Sequence, residues 1–217
     1  MGISSKWVNH AGGSALVFHD ELNESRWFDA IGSNVRKWEM RNGTDFTTAK
    51  EYTVTVIGTT PTIAQGIPAG VKAVITTSAT KWDSLNLQVI GTPFQLAAGY
   101  PCYFGAKIAF DSASLGDWFV GLGSTDTTLL TAGADTLDVA ASAAGFYGLA
   151  TTTVNAYNEI HANEVATASA TILTTSAMTF EFVYDGVNGI DFFHNGVLVG
   201  RHTTYIPTVV MTPSFAL

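Results

Sequence analysis

The chain has 217 residues, 47% hydrophobic and only 13% charged, with 18 acidic against 10 basic side chains for a formal charge of −8 and a mean hydropathy of +0.23. That length buries a full core in one all-β domain without requiring a second, and an acidic chain with no basic patch to track a phosphate backbone disfavours nucleic-acid binding. No run approaches the roughly 18 uninterrupted apolar residues of a membrane span, and the opening MGISSKWVNHAGG lacks the apolar stretch of a secretory leader, so the sequence reads as neither membrane-spanning nor secreted.

Residues 1–50 form an extension of little regular structure: Trp7, Trp27 and Trp38 sit among fragments such as HDELNESRWFDAIGSNVRKWEMRNG, where strand alternation is weak and at most one or two helical turns fit. From Tyr52 onward the pattern changes to short β-rich runs between turn residues: YTVTVI, VKAVITT, LNLQVI, YFGAKIAF, WFVGL, MTFEFVY, IDFF and VLVG. Such spacing predicts a β-sandwich or jelly roll over residues 51–217. The single cysteine, Cys102, excludes an internal disulfide and any multi-cysteine metal site, and its aromatic surroundings in YPCYFG predict a buried, inert thiol. The Ala- and Thr-rich stretch from LLTAGAD to ATILTT is harder to assign. Alanine favours helix, but the threonines and the breaks at Gly145 and Gly148 argue for strands joined by long loops.

In MTFEFVYDGVNGIDFF, Met178, Phe180, Phe182 and Tyr184 alternate with Thr179, Glu181 and Val183 before two glycine turns. Next, Asn195-Gly196 suits a two-residue type I′ turn, which needs positive φ at both central positions. A two-residue loop sets His194 opposite Val197, Phe193 opposite Leu198, Phe192 opposite Val199, Asp191 opposite Gly200 and Ile190 opposite Arg201. One face then collects Ile190, Phe192, His194, Val197 and Val199, with Phe180, Phe182, Phe192 and Val199 as core. The other presents Phe193 and Leu198, an apolar pair where an exposed sheet would be polar, and so a candidate interface.

YPCYFGAKIAF, SLGDWFVGLGSTDTTLL, TFEFVYDGVNGIDFFHNGVLVGRH and IPTVVMTPSFAL, in that order, resemble a family of tailed-phage virion proteins with a concanavalin A-like (laminin G-like) jelly-roll sandwich. RWFDAIGSNVRKW is similar to that family's N-terminal part. The NG hairpin is shared by many concanavalin-like domains and speaks for fold; the order of YFGAKIAF, DWFVGLG and FVYDG is more specific. The resemblance implies a capsid decoration (cement) protein, made in the host cytoplasm. It would bind the major capsid protein on the outer surface of the virion and associate with itself as a homotrimer. Chains of this pattern continue past TPSFAL with another strand, whereas this sequence stops at Leu217, which leaves three alternatives: a short last strand, one supplied by a neighbour, or one missing from this sequence.

Other motifs carry less. Glu159, His161 and Glu164 in EIHANE resemble the Glu-x-Asp-x-x-Glu strand of laminarinase-like glycoside hydrolases, whose paired carboxylates flank the scissile bond, but His161 replaces the middle acid and no cleft aromatics adjoin. Asp126, Asp135 and Asp138 are loop oxygens of the kind that bind Ca²⁺, in no calcium-loop spacing; solvated or turn-capping roles suit them better. His10, His19, His161, His194 and His202 show no ligand spacing and suit surface or turn positions. Trp82 and Trp118 suit core or interface burial over a sugar platform. No nucleophile elbow, phosphate loop or dinucleotide fingerprint is present, so the expectation is a binding protein, not an enzyme, with no cofactor. The alternative to capsid decoration is a lectin-like module recognising a surface glycan, and behind it a degenerate glycosidase.

Overall fold

The structure, a computed structural model, describes residues 4–10, 13–19, 25–27, 46, 51–59, 61–65, 73–77, 83–91, 94–111, 116–126, 128–131, 136–137, 141–149, 151–171 and 174–217. The chain divides into two compact units, Met1–Glu39 and Met40–Leu217. In the first, β1 (Ser4–His10), β2 (Gly13–His19) and β3 (Ser25–Trp27) form an antiparallel sheet, more regular than the weak alternation suggests. SSKWVNH and GSALVFH pair along their whole length, from Ser4 opposite His19 to His10 opposite Gly13. Trp38 and Trp82 lie outside the described residues.

The second unit contains β4 (Tyr52–Ile57), β5 (Thr62–Gln65), β6 (Ala73–Thr76), β7 (Ser84–Val89), β8 (Phe94–Gln95), β9 (Cys102–Ile108), β10 (Trp118–Gly123), β11 (Leu130–Thr131), β12 (Thr136–Leu137), β13 (Ser142–Gly148), β14 (Asn155–Ile160), β15 (Asn163–Ala168), β16 (Met178–Tyr184), β17 (Ile190–His194), β18 (Val197–His202) and β19 (Val210–Ala216). An eight-stranded sheet runs β15-β14-β13-β10-β19-β7-β4, with β8 also paired to β19, and a four-stranded sheet runs β18-β17-β16-β9. The two pack face to face through aromatic rings. Trp118 and Phe146 of the large sheet meet Phe180 at centroid distances of 5.4 Å, and Phe146 meets Phe192 edge-on at 5.6 Å. Phe180, Phe182 and Phe192 are fully buried, as the alternation of MTFEFVY predicts. Each contributes about 1.5–3 kcal/mol of burial energy.

The Ala/Thr-rich region supplies β13, β14 and β15, and its glycines are not strand breaks. Gly145 faces Gly121 across the β10–β13 pair, and a Cβ on Gly121 would sit 2.7 Å from the Gly145 Cα. These glycines let two backbones approach closely. Gly148 underlies the Trp118 indole, where a Cβ would be 2.9 Å from Cε2.

The outward face of the large sheet is largely covered. Phe119, Ala143, Tyr157 and Ala216 are buried beneath Leu129 and Leu130. The segment after β10 is tied down by Gln88 Nε2 donating to the Ser124 carbonyl (3.0 Å), the Asp126 N–H donating to Gln88 Oε1 (3.0 Å), and Asn86 Nδ2 donating to the Asp126 carbonyl (2.7 Å).

The Asn195-Gly196 turn has φ of 52° and 73°, as a type I′ turn requires. His194 pairs with Val197 and Phe193 with Leu198, but beyond them the register slips: Phe192 faces Gly200, Asp191 faces Arg201 and Ile190 faces His202. The uninterrupted register expected from the turn would aim the Arg201 guanidinium at the core face beside Ile190. A bulge at Val199 turns Arg201 outward and sends His202 in. Val199 still packs on the core, whereas Val197, also expected there, is 60% exposed.

Candidate functional site

The predicted interface lies on the outer face of the small sheet, where one row crosses all four strands: Leu198, Phe193, Glu181 and Gly105. Leu198 is 56% exposed and Phe193 half-buried. Sequence reasoning missed the third member of this surface. The Tyr103 ring lies flat over Gly105, where a Cβ would be 2.9 Å from its Cζ, and its hydroxyl donates to Glu181 Oε1 at 2.6 Å. Burial and then that carboxylate push the phenol well above its ordinary range. Along the same face the Arg201 guanidinium lies over Gly189 and pairs with Asp185 and, at 2.9 Å, Asp191. The result is an outer-face strip in which Tyr103, Arg201 and the exposed Leu198 lie among the carboxylates of Glu181, Asp185 and Asp191.

EIHANE is not one strand. His161 and Ala162 have φ of 44° and 66°, making a tight turn between β14 and β15 that sets Glu159 directly opposite Glu164. The two carboxylates therefore lie side by side on one face of adjacent strands. Glu159 is buried, accepting the Tyr157 hydroxyl and, at 3.0 Å, the Ala162 N–H. Burial, then Glu159 and Glu164, raise the Tyr157 phenol. The side chain supports the turn. Asp126 likewise caps its own loop, accepting the Thr128 N–H at 2.6 Å; Asp135 and Asp138 lie outside the described residues. No cluster of three metal-ligating side chains occurs among the described residues. Trp118 is core, and Cys102 is half-buried, with burial pushing its thiol up to about 12.

The expectation of surface histidines fails for two of them. His194 and His202 are buried, His194 stacked on Phe180 at 4.9 Å and His202 beside Phe192 at 4.8 Å. The Val199 bulge is what brings His202 inside. Its Nδ1 lies 2.6 Å from Asn158 Oδ1, and the Asn158 amide donates to the carbonyls of Thr204 (2.8 Å) and Tyr205 (2.7 Å). Burial lowers both imidazoles from their ordinary range, the Thr171 carbonyl opposing this in part at His194.

Those two carbonyls belong to the β18–β19 loop, one wall of a cleft of about 440 Å³ at this end of the sandwich. Leu96, Ile160, Tyr184 and Ile206 give it an apolar floor, and Asn188, Thr203, Tyr205 and Thr208 a polar and aromatic rim. Tyr205 is 48% exposed and held at φ 52°, a left-handed conformation rare outside glycine and concentrated at ligand clamps. The facing wall is the β16–β17 turn. There Asp185 Oδ1 accepts the N–H groups of Val187 (2.7 Å), Asn188 (2.9 Å) and Gly189 (3.1 Å). Partial burial pushes the Asp185 carboxyl up, but the Val187 and Gly189 N–H groups, Arg201 and the Asn188 N–H outweigh it and hold it at about 2. The Gly99 N–H donates to the Gly186 carbonyl at 2.6 Å and fixes the third wall. The cleft is thus built on over-determined loops, and only an aromatic residue isolated in the polar loop RHTTYIPT hints at it in the sequence.

No family model and no curated protein matches the chain. Among solved structures, the potassium-bound carbohydrate recognition domain of Emp46p is similar with a TM-score of 0.53 at 10% identity, over 83% of this chain and 90% of that one. Its metal-free form gives 0.49 at 7% identity over 83% and 90%. A native glycosidic hydrolase gives 0.43 at 13% identity over 79% of this chain and 66% of that chain. The likeness is one of fold: the second unit is a concanavalin A-like jelly-roll sandwich.

Proposed function

We propose that this sandwich is a non-catalytic, lectin-like domain that binds carbohydrate in the cleft around Tyr205. The observation that carries the reading is Tyr205 itself: a half-exposed aromatic in a strained backbone conformation, over an apolar floor and beside two hydroxyls and an amide. A pyranose has an apolar C–H face for such a ring and hydroxyls for such a rim, and concave, mostly apolar sites with a few convergent polar groups are where small ligands bind. The jelly-roll likeness to the Emp46p carbohydrate recognition domain supports it. In the β14–β15 hairpin Glu159 and Glu164 face each other, but Glu159 is buried and taken up by the Tyr157 hydroxyl and the Ala162 N–H, which suits a carboxylate that supports a turn better than one open to a substrate. A glycan array followed by Tyr205→Ala tests the proposal: binding should be found, and the substitution should remove it.

A second reading, capsid decoration on the virion, is favoured by the exposed Leu198 and Tyr103 on the outer face of the small sheet together with the sequence resemblance. In that reading the strip docks on the major capsid protein or on another copy in a trimer, and many copies add avidity across the shell. Light scattering and recoating of stripped capsids test it. Leu198→Asp should weaken assembly and leave glycan binding unchanged.

A further inference from the structure

At one edge of the sandwich β15 of the large sheet runs beside β18 of the small one, and both buried histidines sit at this seam. His202 Nε2 lies 2.9 Å from Thr167 Oγ1 on β15, and His194 Nδ1 lies 3.0 Å from Ser169 Oγ just beyond that strand. Because the Asn158 amide nitrogen donates to Thr204 and Tyr205, its oxygen must accept, so His202 carries its proton on Nδ1 and accepts from Thr167 at Nε2. Through that Nδ1–H bond His202 orients the side chain that fixes the Tyr205 loop.

Among the described residues, the polar groups facing the two rings are Asn158, Thr167, Ser169 and the Thr171 carbonyl, and Phe180 and Phe192 pack against them. The charged side chains on the adjoining strands point elsewhere by strand alternation: Glu159 on β14 and Glu164 on β15 to the far face of the large sheet, Glu181, Asp191 and Arg201 to the outer face of the small one. Among the described residues an imidazolium at either position meets no counter-ion, and a buried, unpaired charge is relieved by opening to water.

We propose that the β15–β18 seam is an acid-release latch for the cleft: proton uptake by His202 and His194 parts the seam, disengages Asn158 and frees Tyr205 and its loop. Ligand release rests on the reading of the cleft as the binding site; the loop movement does not. Since the folded state favours neutral rings, opening is driven as pH falls below the ordinary histidine value of about 6.5. Each proton taken up multiplies the open population by up to about tenfold per pH unit, so the pair gives up to about a hundredfold.

Hydrogen exchange of the whole chain between pH 7.5 and 4.5, corrected for the intrinsic chemical rate, tests the latch, with the Asn158 side-chain amide followed by NMR. Expected are protection of that amide at pH 7.5, its loss below pH 6, and a rise of ten- to a hundredfold per unit in opening of β15 and β18 while β10 and β19 stay protected. His202→Gln keeps hydrogen-bonding groups without titrating, and His194→Leu fills the same space; each should remove up to one decade of the dependence, so the singles suffice if the double variant does not fold. The latch is overturned if wild-type protection is unchanged to pH 4.5, if the step persists in both single variants, or if β10 and β19 open together with β15. A glycan array read at pH 7.5 and 5.5 should lose signal at the lower value in the wild type, and lose less of it in each single variant. No signal at either pH overturns the cleft reading, while exchange still decides the latch.

Discussion

Ala162→Gly separates two geometries for EIHANE by the sign of its effect. In the hairpin, Ala162 sits at φ 66° with its side chain exposed, so removing Cβ loses no packing. An L-residue in the left-handed region costs about 1–2 kcal/mol, and glycine gives back about 0.5–1 kcal/mol through the entropy of the unfolded chain. The net expectation is a stabilisation of about 0.5–1 kcal/mol, or roughly 2–4 °C in Tm per kcal/mol for a chain of this size. In a continuous strand of the laminarinase type the same change would destabilise by about 0.5–1 kcal/mol. Urea denaturation, comparing midpoints at constant m-value, measures it. A loss of stability would refute the hairpin.

Gly121→Ala should destabilise by about 1–3 kcal/mol, because the new methyl meets backbone atoms of Ala144 and Gly145 that cannot rotate away; thermal unfolding reads it. Asp185, held at about 2, stabilises the fold fully above the unfolded carboxylate value of about 3.9 and loses that contribution as pH falls through 2. Asp185→Asn should therefore flatten the acid limb of stability below pH 4, by less than about 1 kcal/mol because the group is partly solvated and screened. Cys102, with its thiol near 12, should react with Ellman's reagent at pH 8 on the order of a thousandfold more slowly than a free thiol, recovering the normal rate on unfolding.

The periodic parts of the fold were legible. MTFEFVY alternates because one face is core, and Asn195-Gly196 specifies its turn by φ alone, so both appear as expected. The pairing of Phe193 with Leu198 on the outer face of the hairpin was legible too, although neither residue lines the cleft. What was not legible depends on partners distant in sequence. The bulge at Val199 follows from the cost of pointing Arg201 into the core and from the place waiting for His202 beside Asn158, 44 residues away. The turn at His161-Ala162 carries no glycine or asparagine to announce it, and Gly145 reads as a break until Gly121 is found opposite. Tyr205 gains its meaning only when Asn158 is seen to hold its carbonyl.

The central claim is that the cleft around Tyr205 takes a sugar. Its most direct test is a glycan array at neutral pH with the wild type, Tyr205→Ala and Leu198→Asp side by side. The account predicts glycan capture by the wild type and by Leu198→Asp, and its loss in Tyr205→Ala with the fold intact by circular dichroism. Capture that survives Tyr205→Ala, or no capture by any of the three, would contradict it.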